Sequence, residues 1–263
     1  MDFSVILIII IIFALIGVVS LRFKLLNPSG TVASLFVGFL ILLFGGLRWL
    51  ALVLVFFALA MFFTRFKFGK DGYLLNGEIR TWRNVLANGG VATFFVIVEG
   101  LMPFNIFIIG FLGAISTTTA DTLATEIGLL NPRNPRLITD LNKEVPAGTS
   151  GGVSPLGEAA MLGSVFVIGL AAWVLGIHPA TWSIYNILFV VVISGLIGGT
   201  VDSVLGATIQ GKYKCSVCGR LTDNRVHCGK PSIYIKGWRS IDNDTVNFLS
   251  TLIGALVAII LIL

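Results

Sequence analysis

Carboxylates inside apolar helices are the first residues of this chain that could do chemistry. Asp121 lies in STTTADTLATEIG (116–128), directly after the lipid-soluble run FNIFIIGFLGAI. Thr118, Asp121, Thr122 and Thr125 follow i, i+3, i+4, i+7 spacing, which sets them on one helical face. Glu126 is displaced by about 140° around the same helix and groups instead with Thr119 and Thr122. Asp202 lies in GGTVDSVLGATIQ (198–210), with Ser203 adjacent and Gly206 and Gln210 at successive steps of four. A lone acid of this kind can serve as interhelical glue or reach water at a membrane edge. A cluster with glycine-rich neighbours points instead to a site, and hard carboxylate oxygens suit a divalent cation. Asp121 is the stronger candidate for a metal or substrate contact. Glu126, nearer the helix end, is expected to act from the adjacent face or to hold another helix. Asp202 sits at a similar depth, so a shared site is expected.

Phosphate chemistry is suggested nearby. RTWRNVLANGG (80–90) places Arg80 and Arg83 at a helix entrance and Asn84 and Asn88 on one face. Arginines there suit phosphate, although snorkelling to lipid headgroups is an equal use of them. Glu99 falls near the other end of that helix, where a packing role is expected. The loop NPRNPRLITDLNKEVPAGTSGGVSPLGE (131–158) carries Arg133, Arg136 and Lys143, then Gly148, Thr149, Ser150, Gly151 and Gly152. Ser154 is a good N-cap and Pro155 a good first helical residue, so a glycine-rich loop opens a helix N-terminus. That arrangement binds anions through backbone N–H groups, although the spacing matches neither a P-loop nor a dinucleotide fingerprint. IDNDTVN (241–247) opens the last helix, where Asn243 or Asp244 is expected to cap and the Asp/Asn cluster could also hold Mg²⁺.

Cys215, Cys218, His227 and Cys228 lie in KYKCSVCGRLTDNRVHCGKP (212–231) with the spacing of a small structural zinc knuckle. Adjacent ligands at 227 and 228 are geometrically awkward, and a redox pair or unreacted thiols remain open. Lys230 beside His227 would equally suit an anion.

These residues must be positioned by membrane helices. The chain of 263 residues is 56% hydrophobic and only 12% charged, with a mean hydropathy of +0.97. Soluble domains carry about 25% charge, so this is an all-α polytopic membrane protein. Eight spans are expected at 3–21, 31–46, 47–63, 84–101, 103–128, 156–176, 182–209 and 245–263. They form a single domain, 1–263, with 211–244 as a long loop. The first run lacks a basic leader and a cleavage site and is expected to be retained. Gly45-Gly46 joins the second and third spans as a tight hairpin. Seventeen of the 18 basic residues fall in loops on one side, which the positive-inside rule makes cytosolic; only Arg48 lies opposite. Both termini of this cell-membrane protein are then expected outside. No run of basic and aromatic residues suggests nucleic acid.

RNVLANGG (83–90), TADTLATEIG (119–128), PAGTSGGVSPLGE (146–158), GGTVDSVLGATIQ (198–210) and IDNDTVNF (241–248) together resemble the integral membrane family of domain of unknown function 92. Relatives in that family include animal transmembrane protein 19 and the plant phytyl-phosphate kinase of tocopherol synthesis. The resemblance implies an isoprenoid-phosphate kinase. A nucleoside triphosphate, with CTP among the candidates, would donate a phosphoryl group to a prenyl or phytyl monophosphate. It implies Mg²⁺ on Asp121 and Asp202, with Glu126 and Asp244 as alternates. Residues 148–152 would cradle phosphate, with Ser154, Ser203 and Gln210 nearby and Arg83, Arg133, Arg136 and Lys143 as further contacts. Asn84 and Asn88 would orient the acceptor. The cysteine knuckle is not a general feature of the family, so zinc there would be structural. An isoprenol kinase, a lipid cytidylyltransferase or a proton- or cation-coupled transporter would use similar groups. The absence of an internal repeat and the one-sided polar residues favour an enzyme over a transporter.

Overall fold

The structure is a computed structural model that describes the backbone of residues 3–71 and 80–263 and the side chains of 10–64 and 80–263. Its described residues form eight long helices: α1 (Phe3–Arg22), α2 (Pro28–Gly45), α3 (Leu47–Asp71), α4 (Trp82–Leu101), α5 (Asn105–Gly128), α6 (Pro155–Val174), α7 (Ile184–Thr208) and α8 (Asn243–Ile260). Each expected span is matched by one of them. Seven, α2 to α8, carry apolar stretches of 18–25 residues that can cross a bilayer. Their outer faces expose Phe36 at 59%, Leu43 at 61% and Val174 at 81%. So large an apolar surface is stable only against lipid or another apolar partner.

Local chemistry sets the helix ends. Asn27 caps α2 by accepting from Gly30 N, and Pro28 follows at the first helical position. Gly46, with φ +79°, donates its N–H to Leu42 O at 3.0 Å and turns the chain directly into α3. α3 continues to Asp71, beyond the expected end at 63. Its apolar run stops at Phe63, but Arg65, Lys67 and Lys70 beyond it are good helix formers in water. The side chains of Arg65, Lys67 and Lys70, counted in the expected cytosolic loop, lie outside the described residues. At α8 the cap is Asp242, not Asn243 or Asp244; its carboxylate accepts from Thr245 N at 3.0 Å and Thr245 Oγ1 at 2.8 Å.

α5 is the central helix. Its spanning stretch is 78% buried, against 17–39% in the other six. It packs against α3, α4, α6, α7 and α8. Small residues permit this: a Cβ on Gly113 would stand 2.6 Å from Gly254 O of α8. Ser116, Thr117 and Thr118 are fully buried along α5 and bond to neighbours, with Thr118 Oγ1 donating to Asn88 O at 2.8 Å.

Short strands, absent from the expected elements, shape both long loops. In the first, β1 (Arg136–Leu137) lies between β2 (Asp140–Glu144) and β3 (Gly152–Val153), all antiparallel. In the second, β4 (Lys212–Lys214) lies between β5 (Leu221–Thr222) and β8 (Ile233–Lys236), while β6 (Val226–His227) pairs with β7 (Lys230–Pro231). These sheets sit at the bundle end where α1, α3, α5 and α7 finish and α4, α6 and α8 begin.

Candidate functional site

At that end a cavity of about 410 Å³ opens between α3, α5, α7 and the first long loop. Its deepest polar feature is a pair of acids. The carboxyls of Asp121 and Asp202 meet within hydrogen-bonding range across the α5–α7 interface. Ser250 Oγ of α8 donates to Asp202 Oδ2 at 2.9 Å. The Asn247 amide, turned to satisfy its neighbours, donates to Asp202 Oδ2 at 3.2 Å and accepts from Asn88 Nδ2 at 3.1 Å. Asn88 Nδ2 also lies 2.9 Å from Asn84 O. Four helices thus place a two-carboxylate, two-amide, one-hydroxyl group around one point. Like charges in contact repel unless a proton or cation lies between them. The donor set is all oxygen and amide, which suits a hard cation such as Mg²⁺.

Glu126 faces elsewhere, as its helical phase requires. Thr64 Oγ1 of α3 donates to its Oε1 at 3.0 Å, and Arg80 Nη2 lies 3.5 Å from the same oxygen. Arg80 is held by its backbone: Asn27 N donates to Arg80 O at 3.1 Å, and Arg80 N to Leu25 O at 3.4 Å. Beside it Lys24, at φ +52°, turns the chain from α1 toward α2 and also lines the cavity. The remaining wall is apolar: Phe56, Phe57, Ala60 and Met61 of α3. One cavity therefore joins a cationic edge, an acidic floor and a greasy side.

The glycine-rich loop closes the opposite wall, since Gly148 through Ser154 all line the cavity. Gly151, at φ +81°, lies so close to α7 that a Cβ would stand 2.6 Å from Ala207 N. Ser154 caps α6 as expected, its Oγ accepting from Gly157 N at 3.1 Å. A network then ties the loop to the second sheet. Ser150 Oγ donates to Asp223, and Gln210 Nε2 donates to Ser150 Oγ at 3.2 Å. Lys212 Nζ donates to Asp223 Oδ1 at 2.8 Å. Burial pushes the Lys212 ammonium below its usual 10.5, against the opposing pull of the Asp223 carboxylate.

The expected site residues divide accordingly. Asp121, Glu126, Asp202, Asn84, Asn88, Ser203, Ser154 and the loop 148–152 line the cavity. Gln210 is buried behind it. Arg133, Arg136 and Lys143 are exposed on and before the β1–β2 hairpin and do not line it, and Arg136 Nη1 donates to Leu141 O at 3.0 Å. Arg83 instead lines a second cavity of about 350 Å³ and pairs with Asp242 at 2.7 Å. Asp244 lies beside Arg83 at 3.8 Å and Asn84 at 3.4 Å, outside the lining of the main cavity. Glu99 sits far along α4, with one carboxylate oxygen buried and unpaired. Arg80, expected at the helix entrance as an arginine that suits phosphate, and Asn247, of the Asp/Asn cluster, do reach the site, while Lys24, Ser250 and Asp223 join it without having been singled out. Asp223 had no signal beyond its place among the cysteines.

Cys215, Cys218, His227 and Cys228 form a separate cluster, their ligand atoms all within 4.8 Å of one another. The awkward adjacency of 227 and 228 is resolved by the backbone, since Cys228 takes φ +53°. N–H groups of Cys218 and Val217 aimed at Cys215 Sγ lower that thiol to about 6 despite desolvation.

Seven helices able to cross a bilayer, with an acid-floored cavity at one end of the bundle, define the class: a polytopic helical membrane protein with a polar cavity open at a bundle end. The chain belongs to the integral membrane protein DUF92 family, whose model matches residues 11–255. It is similar to protein PGR of Arabidopsis thaliana, with 32% identity over 93% of this chain and 91% of that one. An uncharacterized membrane protein of Methanocaldococcus jannaschii is 26% identical over 96% of this chain and 92% of its own. Chloroplastic protein VTE6 of Arabidopsis thaliana is 28% identical over 66% of this chain, which spans 44% of that protein. No solved structure matches the chain.

Proposed function

We propose that the protein is an isoprenoid-phosphate kinase, transferring a phosphoryl group from a nucleoside triphosphate to a prenyl or phytyl monophosphate. The observation that carries this reading is the single cavity with Asp121 and Asp202 on its floor, Arg80 and Lys24 at its edge and Phe56, Phe57, Ala60 and Met61 on its side. A lipid monophosphate has that polarity. Its tail would lie along α3 and between spans. Its phosphate would meet Arg80, Lys24 and the N–H groups of 148–152. Ser250 and Asn247, the latter held in turn by Asn88, fix Asp202. The acceptor phosphate is already ionised, so transfer requires positioning and charge neutralisation more than a strong base. Asp121 and Asp202 would hold Mg²⁺, which when bound offsets the charge of the phosphates. The family resemblance supports the same activity. By the positive-inside rule the cavity opens to the cytosol and both termini lie outside.

Purified protein with Mg²⁺, each of the four nucleoside triphosphates, and phytyl or geranylgeranyl monophosphate tests the reading. The expected product is the prenyl diphosphate, with the free prenols as poorer acceptors. Failure with all four nucleotides, together with uptake of substrate by proteoliposomes, would replace the kinase with a transporter.

A further inference from the structure

We propose that Cys215, Cys218, His227 and Cys228 bind one structural Zn²⁺, and that this ion anchors Asp223 over the glycine-rich loop. The first half stands apart from the kinase reading; the second rests on that reading only in giving the loop a catalytic use.

The ligand atoms already occupy a zinc-sized space. Tetrahedral zinc with sulfur and nitrogen ligands holds them roughly 3.5–3.8 Å apart. His227 Nδ1 lies 3.6 Å from Cys218 Sγ and 3.2 Å from Cys228 Sγ, and all four atoms fall within 4.8 Å. The turn after Cys215 points Val217 N at its sulfur at 3.3 Å and Cys218 N at 3.4 Å. N–H groups converging on a sulfur stabilise the thiolate that a metal requires. Gly219, at φ +72°, then closes the turn by donating to Cys215 O at 3.1 Å.

A tight turn brings the second pair of ligands together. Successive residues of a strand point to opposite faces, so His227 and Cys228 should diverge. Cys228 instead takes φ +53°, a conformation disfavoured for any residue with a Cβ, and Gly229 follows at φ +72°. That turn swings Cys228 Sγ to the side of His227 Nδ1. Cys228 and Gly229 are the two central residues of the β6–β7 hairpin, where positive φ at both is what a two-residue turn requires, so the hairpin itself sets the two ligand atoms side by side. All three cysteines are free thiols.

The segment also needs a staple. Between α7 and α8, residues 211–242 bury only Tyr213 and Cys215 among their apolar side chains. Fewer than about 40 residues with almost no core ordinarily require metal, disulfide or a partner to hold one shape. β6 and β7 pair over two residues each and cannot stand alone. Asp223 lies between the two ligand pairs in sequence and reaches Ser150 Oγ and Lys212 Nζ. Zinc would therefore fix both ends of the stretch that carries Asp223.

The test uses the full chain in detergent, purified without chelator. Elemental analysis should find one zinc per chain, and Co²⁺ exchange should give the intense thiolate-to-cobalt and tetrahedral d–d bands. C218S and C228S should lose both signals. Removing zinc should speed hydrogen exchange in 219–226 and 148–153 while α5 stays protected. D223N should keep zinc yet loosen 148–153. Failure to bind Zn²⁺ or Co²⁺ after refilling with the free ions, or a disulfide among these cysteines in freshly purified reduced protein, overturns the site. Stoichiometric zinc whose removal leaves exchange in 148–153 unchanged overturns the anchoring role. None of these readouts requires turnover, so a failed kinase assay leaves them interpretable.

Discussion

Replacing Gly151 by Ala tests whether the glycine-rich loop is a built wall of the site. The new Cβ would stand 2.5 Å from Ala207 Cβ, 2.6 Å from its N and 2.7 Å from its Cα. Two of those atoms are backbone of α7 and cannot rotate away. The residue also sits at φ +81°, which costs an L side chain about 1–2 kcal/mol. Forcing a methyl into a packed interface adds about 1–3 kcal/mol. Together these weaken docking by about 2–5 kcal/mol, and about 1.4 kcal/mol is a tenfold change. The docked population should fall more than about 30-fold relative to undocked. Hydrogen exchange should then accelerate at Ile138, whose N–H donates to Gly151 O at 2.9 Å, and at Gly152, whose N–H donates to Thr149 O at 2.9 Å. KM for the lipid monophosphate should rise, while the melting transition of the bundle changes little. Gly163→Ala is the control: nothing lies within 4 Å of its Cβ, it is helical, and it should stabilise by about 0.5–1 kcal/mol. Wild-type exchange and KM in Gly151→Ala, with the control behaving as stated, would refute the packing argument.

Three further outcomes are expected. Mg²⁺ at about 100 times its Kd should stabilise the wild type by about 2.7 kcal/mol, or about 5–10 °C in melting temperature for a chain of this size; Asp121→Asn and Asp202→Asn should lose that response. Arg80→Gln should raise KM for the monophosphate by about 10–100-fold, the loss of one charge-assisted phosphate contact of about 1.5–3 kcal/mol, with the bundle still folded. Asp242→Ala should destabilise by about 0.5–2 kcal/mol at neutral pH through loss of the α8 cap. Burial opposes ionisation of Asp242, but Thr245 and Arg83 outweigh it and hold the carboxyl below its usual 3.8. Its stabilising effect is therefore full above pH 3.8 and disappears as pH falls through the lower folded value, so the wild-type and variant curves should converge there.

Helices were legible in the sequence because apolar runs of span length have few alternative folds. The Gly45-Gly46 hairpin, the Ser154 cap and the division of Asp121 from Glu126 followed from local rules that neighbours do not overturn. The end of α3 did not, because charged helix formers leave no mark where lipid stops. The strands were missed because most are two to five residues long and exposed, with no apolar alternation to betray them. Site membership was partly legible. Asp121 and Asp202 stand out by being costly in lipid. Arg133, Arg136 and Lys143 stood out by charge alone, and the β1–β2 hairpin carries Arg136 and Lys143 away from the cavity. Arg80 and Arg83 stood out together at a helix entrance, and only tertiary contacts separate Arg80 at the cavity from Arg83 on Asp242, while Asp223 enters through a salt bridge that no spacing encodes.

Turnover of a defined lipid monophosphate by the wild type beside Asp121→Asn, Asp202→Asn and Glu126→Gln tests the central claim most directly. Diphosphate formed by the wild type, lost about 100-fold or more in both aspartate variants, and retained in larger part by Glu126→Gln is the predicted result. Wild-type turnover in either aspartate variant would contradict the assignment of the facing pair to phosphoryl transfer.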